Sequence, residues 1–220
     1  MSNKRTLQFE TGMPPLGISA NSNESQYVIW VEFLGGSNKA LSQLYGIYSK
    51  ILFVYGRQFT HCDEQIYDTV QDVFIYLTEA REKLSIAKSV KQYLFAVFRR
   101  MLLQALEKER MLVSGKENDY EGFQIIMNDE FFAVNKNLDF HQKKMIENAC
   151  NQLPVRQREM LILRFFEGMS YSEIADTMGL ANSKTVRTMM YRSYHRLSDI
   201  LSPHKEDLTT IILAISYVKL

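Results

Sequence analysis

Residues 1–25 show no sustained alternation of apolar and polar positions, because Gly12, Pro14, Pro15 and Gly17 interrupt them and a polar cluster runs from Asn21 to Ser25. A loose, flexible arm is the expectation there. From Gln26 to about residue 110 the spacing becomes helical. YVIWVEFL runs up to Gly35 and Gly36, ALSQLYGIYSKILFVYGRQF repeats apolar residues at intervals of three and four, and no proline intervenes. Ile66, Val70, Val73, Phe74 and Leu77 share one face of a helix expected to begin near Asp63, with Asp63 as its cap. Asp68, Gln71 and Asp72 lie off that stripe. YLFAVFRRMLLQALEKER marks a fourth helix, and the four together predict a compact first domain over 26–110.

Residues 111–138 mix Gly, Asn and acids with the short apolar pieces FQIIM and FFAV, which predicts a linker able to dock. Helical spacing returns over 139–201, interrupted before Pro154, which suits a helix first turn, and again at Gly168, which suits a helix end. Ser170-Tyr171-Ser172-Glu173 fits the S-x-x-E capping box of a short helix stopping at Gly179, and Asn182 or Ser183 suits the cap of the next. An extension over 202–220 follows, apolar in DLTTIILAISYVKL but too short to span a bilayer.

A helix, a short capped helix, a glycine turn and a second helix form the outline of a helix-turn-helix unit, whose second helix enters the DNA major groove. At about 100° per residue, Val186, Met190, Ser193 and Leu197 fall on one side of that helix, while Lys184, Arg187, Thr188, Tyr191 and His195 fall on the other. Arg192 and Arg196 flank the second group, and no acid occurs from Lys184 to Leu197. The chemistry suits DNA. Arg187 offers a two-pronged donor to a guanine edge, Thr188 a contact to a thymine methyl, and Lys184, Arg192 and Arg196 charges for backbone phosphates. An isolated basic helix face is otherwise simply solvated, and the capped helix before it weighs against that plainer reading.

Composition narrows the class further. With 26 Lys plus Arg against 25 Asp plus Glu among 220 residues, the chain is close to neutral, so any attraction to nucleic acid has to be local. Apolar content of 46% suffices for one moderate or two small domains and excludes a disordered or collagen-like chain. No secretory signal or membrane span is expected, which points to a cytoplasmic protein. Two distant cysteines, Cys62 and Cys150, and four scattered histidines predict neither a disulfide framework nor a metal site. His61-Cys62-Asp63-Glu64 is too compressed to turn all four side chains to one ion. Neither a phosphate-cradling loop nor a nucleophile elbow occurs, so no enzymatic activity and no cofactor are expected.

The stretch LPVRQREMLILRFFEGMSYSEIADTMGLANSKTVRTMMYRSYHRL resembles region four of bacterial sigma-70 family RNA polymerase initiation factors of the extracytoplasmic-function type. GGSNKALSQLYGIYSKILFVYGRQF, the run from Asp68 to Phe74 and the run from Val90 to Phe95 are similar to region two of that family, in the family's order. The resemblance implies an all-α chain of two small helical domains that binds core RNA polymerase and carries it to promoter DNA. Region four would meet the minus-thirty-five element through Ser183, Lys184, Arg187, Thr188, Tyr191, Arg192 and Arg196. Region two would meet the minus-ten element, with Lys88, Lys91, Arg99 and Arg100 as strand contacts. Phe95 and Phe98 are assigned to the core, since aromatic residues at helical spacing are usually buried. Asp68, Gln71 and Asp72 would face polymerase, and an anti-sigma factor is a further partner of this class.

The chain departs from the family pattern at Thr78, Arg100 and Met189, and its turn GLANSKTV is one residue longer. Two other readings therefore stand beside the first. One is a degenerate sigma-like protein that occupies polymerase without reading promoters, and the other a free-standing helix-turn-helix regulator.

Overall fold

The structure is a computed structural model and describes residues 21–112, 122–126 and 140–202. Among these residues there are eight α-helices and no strand, in agreement with the all-α expectation. The extension over 203–220, most of the 111–138 linker and residues 1–20 lie outside the described residues.

Helix α1 (Asn21–Leu34) begins before the point where its apolar spacing starts, so the end of the expected arm, from Asn21 to Ser25, is helical. Gly36, at φ 98°, turns the chain into α2 (Asn38–Gly56), where the Ser37 hydroxyl accepts from the Ala40 N–H at 3.2 Å. Helix α3 (Asp63–Ala80) corrects the expected cap: Cys62 occupies the N-cap without a side-chain bond, and Asp63 is already helical. The Asp63 carboxylate instead pairs with Arg57 at 3.1 Å, where its charge also suits the helix amino end. A single 3-10 turn (Arg81–Lys83) leads to α4 (Val90–Leu112). The buried stripe Ile66, Val70, Val73, Phe74 and Leu77 is the one the spacing predicted, and it closes on Leu44, Tyr48, Leu52, Leu94, Phe95 and Phe98. Gly56 is where α2 comes nearest its neighbours. A Cβ there would stand 2.6 Å from Ile66 Cγ2 and 3.0 Å from the Phe98 ring, so only glycine fits.

The carboxy-terminal group consists of α5 (Phe140–Asn151), α6 (Val155–Phe165), α7 (Tyr171–Met178) and α8 (Ser183–Leu201). Pro154 stands at the N-cap of α6, one residue outside the first turn expected for it, with an extended ψ of 142°. The capping box forms: Ser170 Oγ accepts from the Glu173 N–H at 3.3 Å, and a Glu173 carboxylate oxygen accepts from the Ser170 N–H at 2.9 Å. Gly179 closes α7 in the left-handed conformation at φ 63°, and Asn182 caps α8 by accepting from the Thr185 N–H at 3.0 Å.

Residues 122–126 tie the two groups together. Phe123 is fully buried against Phe59, with ring centroids 4.8 Å apart, and also lies beside Tyr55. The Gln124 N–H donates to the Gln58 carbonyl at 2.7 Å, while Asn151 at the end of α5 exchanges hydrogen bonds of 2.8 and 2.9 Å with the Ile125 backbone. Residues 123–126 of the linker's apolar piece therefore dock, because Phe123 and Ile125 bury more surface there than a solvated connection allows.

Candidate nucleic-acid interface

Helix α8 is amphipathic in the sense its spacing predicted. Val186, Met190 and Ser193 are buried against α6 and α7, and Leu197 is half-buried. Ser183, Lys184, Arg187, Thr188, Tyr191, Arg192, His195 and Arg196 are all exposed, Tyr191 at 64%. The first turn of α8 holds no acidic residue, so its free N–H groups and Lys184 present positive potential outward together. Two ring contacts pin the outer face. Tyr191 and His195 meet edge to face at 4.4 Å, and the Arg187 guanidinium lies over the Tyr171 ring, 5.9 Å from its centroid. That same ring is covered by Arg164 at 5.0 Å, whose guanidinium is fixed by donating to the Met169 carbonyl at 2.8 Å. Met189 is half-buried and packs toward the core, on the flank of α8 rather than on its outer face.

The cations expected to meet an opened strand do not share one environment. Lys88 and Arg100 are exposed, at the amino end and on the outer side of α4. Lys91 and Arg99 point instead into the seam between the two helix groups. Lys91 Nζ lies 2.6 Å from a Glu167 carboxylate oxygen and donates to the Glu167 carbonyl at 2.8 Å. Arg99 Nε and Nη2 donate to the two Glu159 carboxylate oxygens at 2.5 and 3.1 Å, and the Tyr55 hydroxyl donates to the first of them at 2.7 Å. Glu159 is 2% exposed, so this is an ion pair removed from water with its acceptor oxygens satisfied. Burial first, and then the adjacent Glu159 carboxylate, push the Tyr55 phenol well above its ordinary pKa, so it stays protonated as a donor.

The seam also includes Glu173. Its partial burial opposes ionisation, but the Ser170 N–H, the hydroxyls of Ser89 and Ser170 and the nearby Lys91 charge together hold its carboxyl below the ordinary value. Ser89 immediately precedes α4, so the amino end of α4 meets carboxylates carried by the carboxy-terminal group.

On α3, Asp68, Gln71 and Asp72 are exposed beside Tyr67 at 46% and Ile75 at 53% exposure. Tyr67 is fixed by stacking on Phe53 at 4.4 Å. An apolar surface edged by acids and an amide can dock a partner helix better than a purely charged one. Sequence reasoning missed Tyr67 and Ile75, although their positions off the Ile66 to Leu77 stripe could have been noticed. It also missed Tyr55, Glu159, Glu167 and Tyr171, whose partners are too distant in sequence for spacing to signal. Among the described residues no group of three or more His, Cys, Asp and Glu side chains could hold a metal ion, and no helix is long and apolar enough to cross a membrane.

Residues 143–197 match the protein family described as Sigma-70, region 4. RNA polymerase sigma factor SigV of Bacillus subtilis is 27% identical over 144 residues, which cover 64% of this chain and 78% of that protein. RNA polymerase sigma factor CnrH of Cupriavidus metallidurans is 23% identical over 190 residues, 84% of this chain and 99% of that protein. Among solved structures, CnrH in complex with the cytosolic domain of CnrY aligns with a TM-score of 0.55 at 18% identity, over 81% of this chain and 98% of that one. The sigma factor RpoE of Bartonella quintana, in complex with the anti-sigma factor NepR, aligns with a TM-score of 0.56 at 22% identity, over 74% and 98%. These two share the all-helical fold.

Proposed function

Since the chain belongs to the sigma-70 family of bacterial RNA polymerase factors, in its extracytoplasmic-function branch, we propose that it is a cytoplasmic transcription initiation factor that binds core polymerase and directs it to promoters. It acts by binding alone, without making or breaking a covalent bond. A region-two unit over 26–110 and a region-four unit over 139–201 divide the work. The observation that carries this reading is the outer face of α8: exposed, free of acid in its first turn and held by a capped helix-turn-helix. Arg187 and Thr188 read base edges, and Lys184, Arg192 and Arg196 neutralise phosphates. The Asp68, Gln71, Asp72 face of α3, with Tyr67 and Ile75, is the polymerase contact. Of the two departures behind the degenerate reading, Met189 and the longer turn, Met189 packs against the core rather than on the outer face of α8.

A minus-ten and a minus-thirty-five element lie about 25 base pairs apart, roughly 85 Å along B-DNA. A compact body of the described size is about 40 Å across. The closed arrangement therefore cannot touch both elements at once, and the seam at Glu159 and Glu167 has to part when polymerase is loaded. Parting also frees Lys91 and Arg99, which then join Lys88 and Arg100 as contacts for the opened strand. The closed arrangement suits storage with an anti-sigma partner, of the class captured with the RpoE relative.

Transcription from genomic fragments with purified core polymerase, with and without the chain, tests this. Discrete start sites sharing two upstream elements are the expected result; starts spread at random would contradict promoter direction.

A further inference from the structure

We infer that Tyr171 is a positioning residue for promoter reading: its ring sets the direction in which Arg187 presents its guanidinium to a base pair. The inference rests on the reading that α8 enters the groove. Tyr171 is the first residue of α7, and its ring meets the expected DNA-contacting face of α8 at Arg187. Three helices meet at its ring. Arg164, near the end of α6, covers it at 5.0 Å and is tethered to the Met169 carbonyl at 2.8 Å. Arg187, in the second turn of α8, lies 5.9 Å from the same centroid.

The physical consequence follows from what an exposed arginine lacks. Its side chain has many rotamers, and a forked contact to a guanine uses one of them, so freedom lost on binding weakens discrimination. A ring face that attracts the guanidinium before DNA arrives removes part of that loss. Tyr171 is half-buried and seated in the capping box, with Ser170 on one side and Glu173 two residues on, so the ring does not drift with the side chain it holds. Arg164 cannot exchange places with Arg187, because its own guanidinium is already engaged by a backbone carbonyl.

The test uses the full chain with core polymerase on a promoter library in which each base pair of the upstream element is varied singly. Arg187→Ala is expected to flatten the preference at one pair. Tyr171→Leu is expected to lower the preference at that same pair about two- to fivefold, Tyr171→Phe to leave it nearly unchanged, and Tyr171→Trp to keep or raise it. In the double variant Tyr171→Leu with Arg187→Ala the loss is expected to be no larger than with Arg187→Ala alone. An even fall in transcription across the library for Tyr171→Leu, or an equal loss of preference for Tyr171→Phe or Tyr171→Trp, would overturn the positioning role. If Arg187→Ala flattened no position, it is the groove reading of α8 that would fail instead.

Discussion

Val186 and Arg187 are neighbours in the chain, yet one is fully buried and the other exposed, because a turn of about 100° per residue carries the second off the buried face of α8. That rotation made the candidate DNA face legible from sequence alone, from Lys184 through Arg196. Replacing Arg187 with Ala is expected to cost about 1 to 3 kcal/mol of discrimination at one base pair, read as the ratio of transcripts from matched and mismatched promoters. An equal loss on every promoter would assign Arg187 to phosphate. Gly56 was not legible in the same way, since its requirement comes from Ile66 and Phe98 on two other helices. Gly56→Ala overpacks that approach and is expected to destabilise the fold by about 1 to 3 kcal/mol in urea unfolding, whereas Gly46→Ala, which meets nothing within 4 Å, should not. Thiol chemistry checks the same packing. Cys62 is exposed, while burial, with a smaller contribution from Glu147, pushes the Cys150 thiol up to about 12. Alkylation of the folded protein at pH 8 is expected at Cys62 and not at Cys150, and rapid modification of both would contradict the buried position.

Caps were the most legible feature at the level of elements, because a capping bond joins residues two or three apart. Ser170 with Glu173, Asn182 and Gly179 all stand where their residue types predicted. Cys62 breaks that rule: it caps α3 by backbone position alone, and the adjacent acid is drawn inside the helix by Arg57. The start of α1 was missed because Asn21 to Ser25 are polar and carry no period for a stripe to reveal. Glu173→Ala removes half of the box that seats α7 and is expected to lower stability by about 1 kcal/mol, measured as a fall in melting temperature. The pH dependence has a definite sign. The folded carboxyl is held below its ordinary value, so its contribution is fully present above the ordinary glutamate range of about 4.3 and is lost as pH falls through the lowered folded value. The melting difference between the parent chain and Glu173→Gln should thus close in acid; a difference unchanged down to pH 2 would show that the ionised carboxylate is not what caps the helix.

For the molecule as a whole, periodicity and motif order gave the two helix groups and their sequence, but not how they meet. Tyr55 and Glu159 are 104 residues apart and Lys91 and Glu167 are 76 apart, counting the backbone bond, and no local pattern reports such pairs. Lys91 and Arg99 accordingly looked like free cations in the sequence and are ion-paired in the fold. Glu159→Gln removes the buried carboxylate charge that Arg99 and Tyr55 meet, which is expected to weaken the closed arrangement by about 3 kcal/mol. Dyes on Thr78→Cys and Ser198→Cys in a Cys62→Ser chain should then move apart, as they should for the parent when core polymerase is added. Lys91→Met, which removes both bonds to Glu167, should loosen closure in the same direction. Dyes that stayed at one separation throughout would contradict the parting of the seam. The most direct measurement concerns α8 itself: a photo-activated cross-linker placed at Tyr191, in the complex of chain, core polymerase and promoter. Cross-links confined to the base pairs about thirty-five upstream of the start are the expected result. Cross-links to polymerase alone, or to DNA without preferred position, would contradict promoter reading by this face.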